Sequence, residues 1–87
     1  MIDLSFLNLF GRRFSDVDFS GAYLHGSSLR GCDFEGTNLT GATMLGCDIT
    51  GADFSLADLT GVVLSRSQVD SVELSEKQLK QIKIVGE

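Results

Sequence analysis

The stretch that decides the fold is GCDFEGTNLTGATMLGCDITGADF, from Gly31 to Phe54. It repeats the triplet GCD at Gly31 and Gly46 and returns to glycine at every fifth residue from Gly31 to Gly51. Three readings compete. It could be a thiol site on Cys32 and Cys47, a glycine loop for a phosphate, or a repeat with no chemistry of its own. Following the pattern outward in both directions separates them.

From Val17 the chain divides into fives: VDFSG, AYLHG, SSLRG, CDFEG, TNLTG, ATMLG, CDITG, ADFSL, ADLTG, VVLSR. The third place is always large and apolar, from Phe19 to Leu64, and the first is always small or β-branched, Cys32 and Cys47 included. The second and fourth are mostly polar; the fifth is glycine from Gly21 to Gly51, then Leu56, Gly61 and Arg66. A helix needs apolar residues every 3.6 positions, and each interior glycine would cost it about 1 kcal/mol. A flat strand alternates in twos, so a spacing of five would put successive large residues on opposite faces. The chain must therefore turn once per five residues, with glycine supplying the positive φ of a tight corner. The first and third places then point inward. Four sides closing a twenty-residue square is one solution, and a triangle is another.

Here the residues match a known pattern. The A-(D/N)-(L/F)-x-x signature, present as ADFSL and ADLTG, resembles the pentapeptide-repeat proteins over about Phe14 to Leu74. The resemblance implies an all-β solenoid, a right-handed quadrilateral β-helix, here of about four coils. A square makes residues twenty apart stack, roughly 4.8 Å from one another. The inner columns become Phe14, Phe34, Phe54, Leu74; Phe19, Leu39, Leu59; Leu24, Met44, Leu64; and Leu29, Ile49, Val69. Three phenylalanines in one column favour the square.

The ends depart from the pattern, as the ends of repeat stacks do. Residues 1–12 put Arg12 on an inward place and Phe6 and Phe10 on outward ones. They read as an N-terminal cap or, equally, as an irregular further coil. The repeat body is assigned to 13–74 and a C-terminal element to 75–87. There Ser75 and Gln78 have capping-box spacing, and the spacing predicts a helix from about Glu76 to Gln81. A strand-like tail through Ile82, Ile84 and Val85 follows. This element reads as a plain cap; it is also similar to the one that pairs subunits in quinolone-resistance members of the family, which implies a homodimer through the tail.

The outward places form columns too. Arg13, Asp33, Asp53 and Glu73 share one face and Asp18, Asn38 and Asp58 the next, giving a candidate acidic strip of Asp18, Asp33, Asp53, Asp58 and Glu73. A third face carries Tyr23, Thr43 and Val63 beside His25 and Leu45; Tyr23, Leu45 and Val63 are the candidate protein-binding residues there. The fourth carries Ser28, Asp48 and Gln68. From Phe14 to Glu76, ten acidic residues stand against two basic ones, and the remaining basic residues lie at the two ends.

Chemistry finds little footing. Cys32 and Cys47 fall on inward places of different sides, too far apart for a disulfide and without further ligands for a metal, so they read as buried thiols. The glycines recur in strict fives with no lysine-serine ending and no helix behind them, unlike a phosphate loop. His25 is expected at the surface with no nucleophile to serve. A carboxylate pair such as Asp33 and Asp53 would lie on a convex face, without the pocket a hydrolase needs. No catalytic residue, cofactor or metal is expected, and most of the acidic residues read as solvated or as capping backbone. A net charge of -5 argues against direct nucleic-acid binding. No apolar run reaches the roughly 20 residues of a membrane span. The N-terminus lacks a basic segment and cleavage site, and two free thiols suit a reducing compartment, so a cytoplasmic location is expected. The expectation is thus a non-catalytic protein-binding or scaffold module. The alternative implied by the resemblance is a bacterial DNA mimic that binds a type II topoisomerase such as DNA gyrase.

Overall fold

The computed structural model describes residues 2–86; Met1 and Glu87, the outer ends of the expected 1–12 and 75–87 segments, lie outside the described residues. The chain winds as a β-helix solenoid. Parallel bridges join residues twenty apart: Asp3 to Tyr23, Asn8 to Ser28, Arg13 to Asp33 and Asp18 to Asn38, then Tyr23 to Thr43, Ser28 to Asp48, Asp33 to Asp53 and Asn38 to Asp58. This is the register read from the sequence. Each rung is short because only the second place of each five lies in the ladder. Its N–H donates to a first-place carbonyl of the preceding coil, as Asp53 to Cys32 at 2.9 Å; its carbonyl accepts from a third-place N–H there, as from Phe34 at 2.8 Å.

The fifth place makes the corner. Gly36 and Gly51 sit at φ 69° and 72°, and where glycine is missing the backbone is the same: Phe6, Asp16 and Leu56 take φ 60–61°. Closing the turn, the next first-place N–H bonds back three residues, as Ala52 to Ile49 at 2.9 Å. The second-place side chain completes it. Asp18, Asp33, Asp48, Asp53 and Asp58 each accept the N–H two residues on at 2.9–3.1 Å, and Asn8 and Asn38 do the same. These are Asx turns, which explains Asp or Asn at that place.

Inside, the third places fill the solenoid and the small first places fit between them. Phe34 stacks between Phe14 and Phe54, ring centroids 5.4 and 5.3 Å away, and the last pair is nearly parallel at 3°. Cys32 and Thr37, both buried, donate from their side chains to the carbonyls of Leu9 and Phe14 in the coil before, at 2.9 and 2.7 Å.

Residues 2–12 run in the ladder rather than across it. Leu9 is buried, Leu4 packs against the core, and Phe6 and Phe10 point out.

The other end departs from the expected repeat. Strand β1, Val63–Ser65, leads directly into helix α1, Arg66–Asp70. Gln68, expected on an outward place, is buried: Ser65 and Gln68 form a capping box, and the Gln68 amide then donates inward to the carbonyls of Met44 and Cys47, both at 2.8 Å. Ten residues on, helix α2, Glu76–Gln81, repeats the device. Ser75 and Gln78 form the box, and Gln78 donates to Phe54 and Ala57 at 2.7 and 3.0 Å. Each glutamine thus satisfies two carbonyls of the last full coil, where a further coil would otherwise be required. Strand β2, Lys83–Val85, pairs in parallel with β1, Val63 to Lys83 through Ser65 to Val85. The tail is thus a rung of the chain's own ladder.

Candidate functional site

Tyr23 and Leu45 are exposed, at 42% and 40%, on one side of the solenoid; Val63 in β1 is half-buried, with Lys83 beside it. His25 ties the side together. Its ring meets Phe6 edge-on at 5.1 Å and 80°, and its Nδ1 lies 3.4 Å from the Leu45 carbonyl oxygen. Phe6, 75% exposed, thereby joins the apolar group. Sequence reasoning missed it by assigning Phe6 to a cap. The signal was its place: Phe6 occupies a corner over Gly26, where any Cβ would strike the phenyl ring. Glycine there leaves room for the ring to lie flat.

The acidic residues stand as columns. Asp33 neighbours Arg13 and Asp53, and Asn38 separates Asp18 from Asp58. Their carboxylates are engaged in their own corners. Bonds from Ser55 hold Asp53 below the ordinary carboxylate range, bonds from Thr60 do the same for Asp58, and the Ser20 N–H does so for Asp18. Lys77 stands near enough to add to the effect at Asp58. Glu73 lies in the irregular stretch between the helices, where it lines an open cleft with Asp53 and Asp70. Asp18, Asp33, Asp53 and Asp58 thus form an anionic surface of fixed carboxylates, each with one oxygen committed to a backbone N–H. On the remaining side, Arg30 pairs with Asp48 at 3.1 Å, both well exposed.

The thiols sit apart from either surface. Cys32 and Cys47 are free and buried. Burial pushes the Cys32 thiol up and the Cys47 thiol up to about 12. Cys47 donates to the Met44 carbonyl at 2.9 Å. Among the described residues no group of three or more His, Cys, Asp or Glu side chains is placed to share a metal ion.

Known proteins show the same architecture. The model of pentapeptide repeats matches in eight copies, over residues 2–41, 18–55, 27–66 and 42–75. A pentapeptide repeat protein from the Arabidopsis thaliana thylakoid lumen is 32% identical over 70% of this chain and 48% of its own, with a TM-score of 0.67. This chain therefore spans about half the length of that protein. A pentapeptide repeat protein from Nostoc Pcc 7120 is 22% identical over 95% of this chain and 76% of its own, with a TM-score of 0.49. The plasmid-mediated fluoroquinolone resistance protein QnrB1 is 19% identical over 95% of this chain and 37% of its own, with a TM-score of 0.51. No curated protein matches the chain in sequence. The twenty-residue ladder, the corner at every fifth residue and the repeat match over most of the length agree: the chain belongs to the pentapeptide-repeat family.

Proposed function

We propose that this chain is a non-catalytic protein-binding module, working in a reducing compartment such as the cytoplasm, whose contact surface is the side carrying Tyr23, Leu45 and Val63. The winding we propose with it is the family's right-handed quadrilateral one, in about four coils. The observation that carries the reading is the joining of Phe6, His25 and Leu45, with exposed Tyr23 on the same side, into one exposed, largely apolar side of an otherwise acidic body. Aromatic residues on a rigid scaffold are what protein contacts concentrate. The test is capture of protein partners from a host extract by the immobilised chain and by its Tyr23→Glu, Leu45→Lys double variant. Loss of the captured species in the variant supports the surface; undiminished capture removes it.

A second reading is the DNA mimic that binds a type II topoisomerase. The columns of Asp33 with Asp53 and Asp18 with Asp58 favour it, since fixed surface carboxylates steer a basic partner. The size weighs against it: the molecule measures 25 × 24 × 23 Å, a short segment for imitating a long duplex. A supercoiling assay with DNA gyrase decides, inhibition or protection by micromolar protein being the supporting result and no effect the opposing one.

A further inference from the structure

One side of the solenoid lacks a rung. The column Arg13, Asp33, Asp53 pairs step by step, and among the described residues no bridge carries it on to Glu73. In the earlier coils of this side, Phe14 and Phe34 donate their N–H groups to the carbonyls of Asp33 and Asp53, at 2.7 and 2.8 Å. The carbonyls of Arg12 and Cys32 accept from Asp33 and Asp53, both at 2.9 Å. At the corner, Asp16 and Gly36 donate to Glu35 and Ser55. In the last coil the equivalent groups are the Phe54 N–H, the Ala52 C=O and the Leu56 N–H. None of the three has a hydrogen-bond partner among the described residues.

Helix α1 is the reason. Gly11 and Gly31 donate to Arg30 and Thr50, nineteen residues on; Gly51 donates to Ser71, twenty residues on, at a long 3.3 Å. The chain leaves α1 one residue out of step, so Glu73 does not come to lie against Asp53. Val72 and Leu74 still pack on the core, which keeps Phe54 buried. Between the displaced stretch and the coil runs an open cleft of about 570 Å³. Ala52, Asp53 and Phe54 line one wall, Asp70 and Glu73 the other. The gap is internal: the chain crosses it and returns to the solenoid through α2 and β2.

We propose that this gap receives an extended segment of a partner protein, which adds the missing rung with a lysine or arginine at its centre. The free groups fix the register, that of a parallel rung. The central residue donates to the Ala52 carbonyl and accepts from the Phe54 N–H; the carbonyl two residues on accepts from the Leu56 N–H. Its side chain then stands next in the column after Asp53, as Arg13 already stands beside Asp33. Asp53, Asp70 and Glu73 are exposed around it, and among the described residues no basic side chain lines this cleft. That charge selects a basic segment over an acidic one. Val72 and Leu74 already fill the space inside, so the residues flanking the basic one must be small. Past Ser55 and Glu73 lies a second cleft, of about 660 Å³, lined by Leu74 and by Leu56, which is 84% exposed. An apolar residue three positions after the basic one reaches it, about 10 Å along an extended chain.

Amide hydrogen exchange of the full chain, read residue by residue by NMR, tests this with the peptide acetyl-Ser-Arg-Ala-Ser-Leu-Gly-amide. In the free protein the Phe54 and Leu56 amides should exchange far faster than that of Phe34, and millimolar peptide should slow both. Glutamate in place of the peptide's arginine should weaken binding about tenfold. Asp70→Lys with Glu73→Lys, both at exposed sites, should reverse that preference while the circular dichroism stays unchanged. Tyr23→Glu with Leu45→Lys should leave peptide binding as it was, which separates this surface from that of Tyr23. Slow exchange at Phe54 in the free, dilute protein overturns the proposal, because the chain itself then closes the gap. So does protection that grows with protein concentration alone, which assigns the gap to a second copy. Absence of protection by the peptide, or equal protection by its arginine and glutamate forms, overturns it as well.

Discussion

The side-chain amide nitrogen of Gln68 lies 2.8 Å from the carbonyl oxygen of Met44 and 2.8 Å from that of Cys47. One side chain thus does the work of two backbone donors from a coil that never forms. Gln78 stands in the same relation to Phe54 and Ala57. Replacing either glutamine by alanine strands two buried carbonyls and undoes a capping box. Each change should cost about 2–4 kcal/mol. Gln→Glu should cost more, because a carboxylate cannot donate. Urea unfolding followed by circular dichroism gives the number.

Phe34 is the middle ring of its column and is fully buried. Phe34→Ala should destabilise the fold by about 3–5 kcal/mol, while Phe34→Leu, which keeps most of the volume, should cost markedly less. A comparable loss at Phe14, which is only partly buried, should be smaller. Thermal unfolding of the three variants ranks them.

The carboxylates at the corners make stability depend on acid. Asp53 and Asp58 are held below the ordinary value of 3.8 by bonds to Ser55 and Thr60. A depressed native pKa means that the ionised form is bound more strongly by the fold. The contribution is therefore complete above the unfolded value and is lost as pH falls through the native one. The melting temperature should drop below pH about 4. Asp53→Asn with Asp58→Asn should fold normally at neutral pH, because Asn8 and Asn38 already make the same turn, and should show a shallower acid decline. An equally steep decline in the variant removes these two groups as its source.

Neither thiol should react in the native protein at pH 8. Cys47 is pushed up to about 12 by burial and Cys32 is raised for the same reason. An aromatic disulfide reagent should label both cysteines in denaturant and neither without it. Rapid labelling of the folded chain would contradict the buried placement.

Leu56 is 84% exposed and sits at φ 60°, a backbone that costs a branched side chain about 1 kcal/mol. Leu56→Gly removes that cost but loosens the unfolded chain, for a net gain of about 0.5 kcal/mol. Calorimetry should show a slightly raised melting temperature. Gly36→Leu, at the neighbouring corner, should do the opposite, since a Cβ there meets the Asp16 carboxylate.

The coil register was legible because the first and third places of every five contrast so sharply in size. Phe14, Phe34 and Phe54 fix it almost alone. What followed Val62 was harder to read. Leu64 keeps the large third place, so the sequence looks like one more side of a coil, and the Ser65 to Gln68 spacing hides inside that pattern. The clue was Arg66 on the corner place, yet Leu56 also replaces a corner glycine and stays a corner, so the substitution alone decides nothing. The exposed apolar side was visible in the sequence through Tyr23 and Leu45. It was incomplete because Phe6 joins it only through its stacking on Gly26 and its contact with His25, which depend on which coil lies beside which. The role of the aspartates as corner acceptors was visible as a general capping tendency. Which nitrogen each one holds required the turn itself.

The twenty-residue register also governs how such a chain can change length. A deletion of five residues removes one side and leaves every inward place inward, so the core tolerates it. Everything downstream is then rotated by a quarter turn. Excising Cys47 to Gly51 would bring Asp58 above Asp33 and Asp53 above Ser28, moving negative charge from one flank to another without altering a single remaining residue. Gains or losses of twenty preserve each flank and alter only reach. Insertions and deletions in this molecule therefore act as a dial for its surface, with four settings.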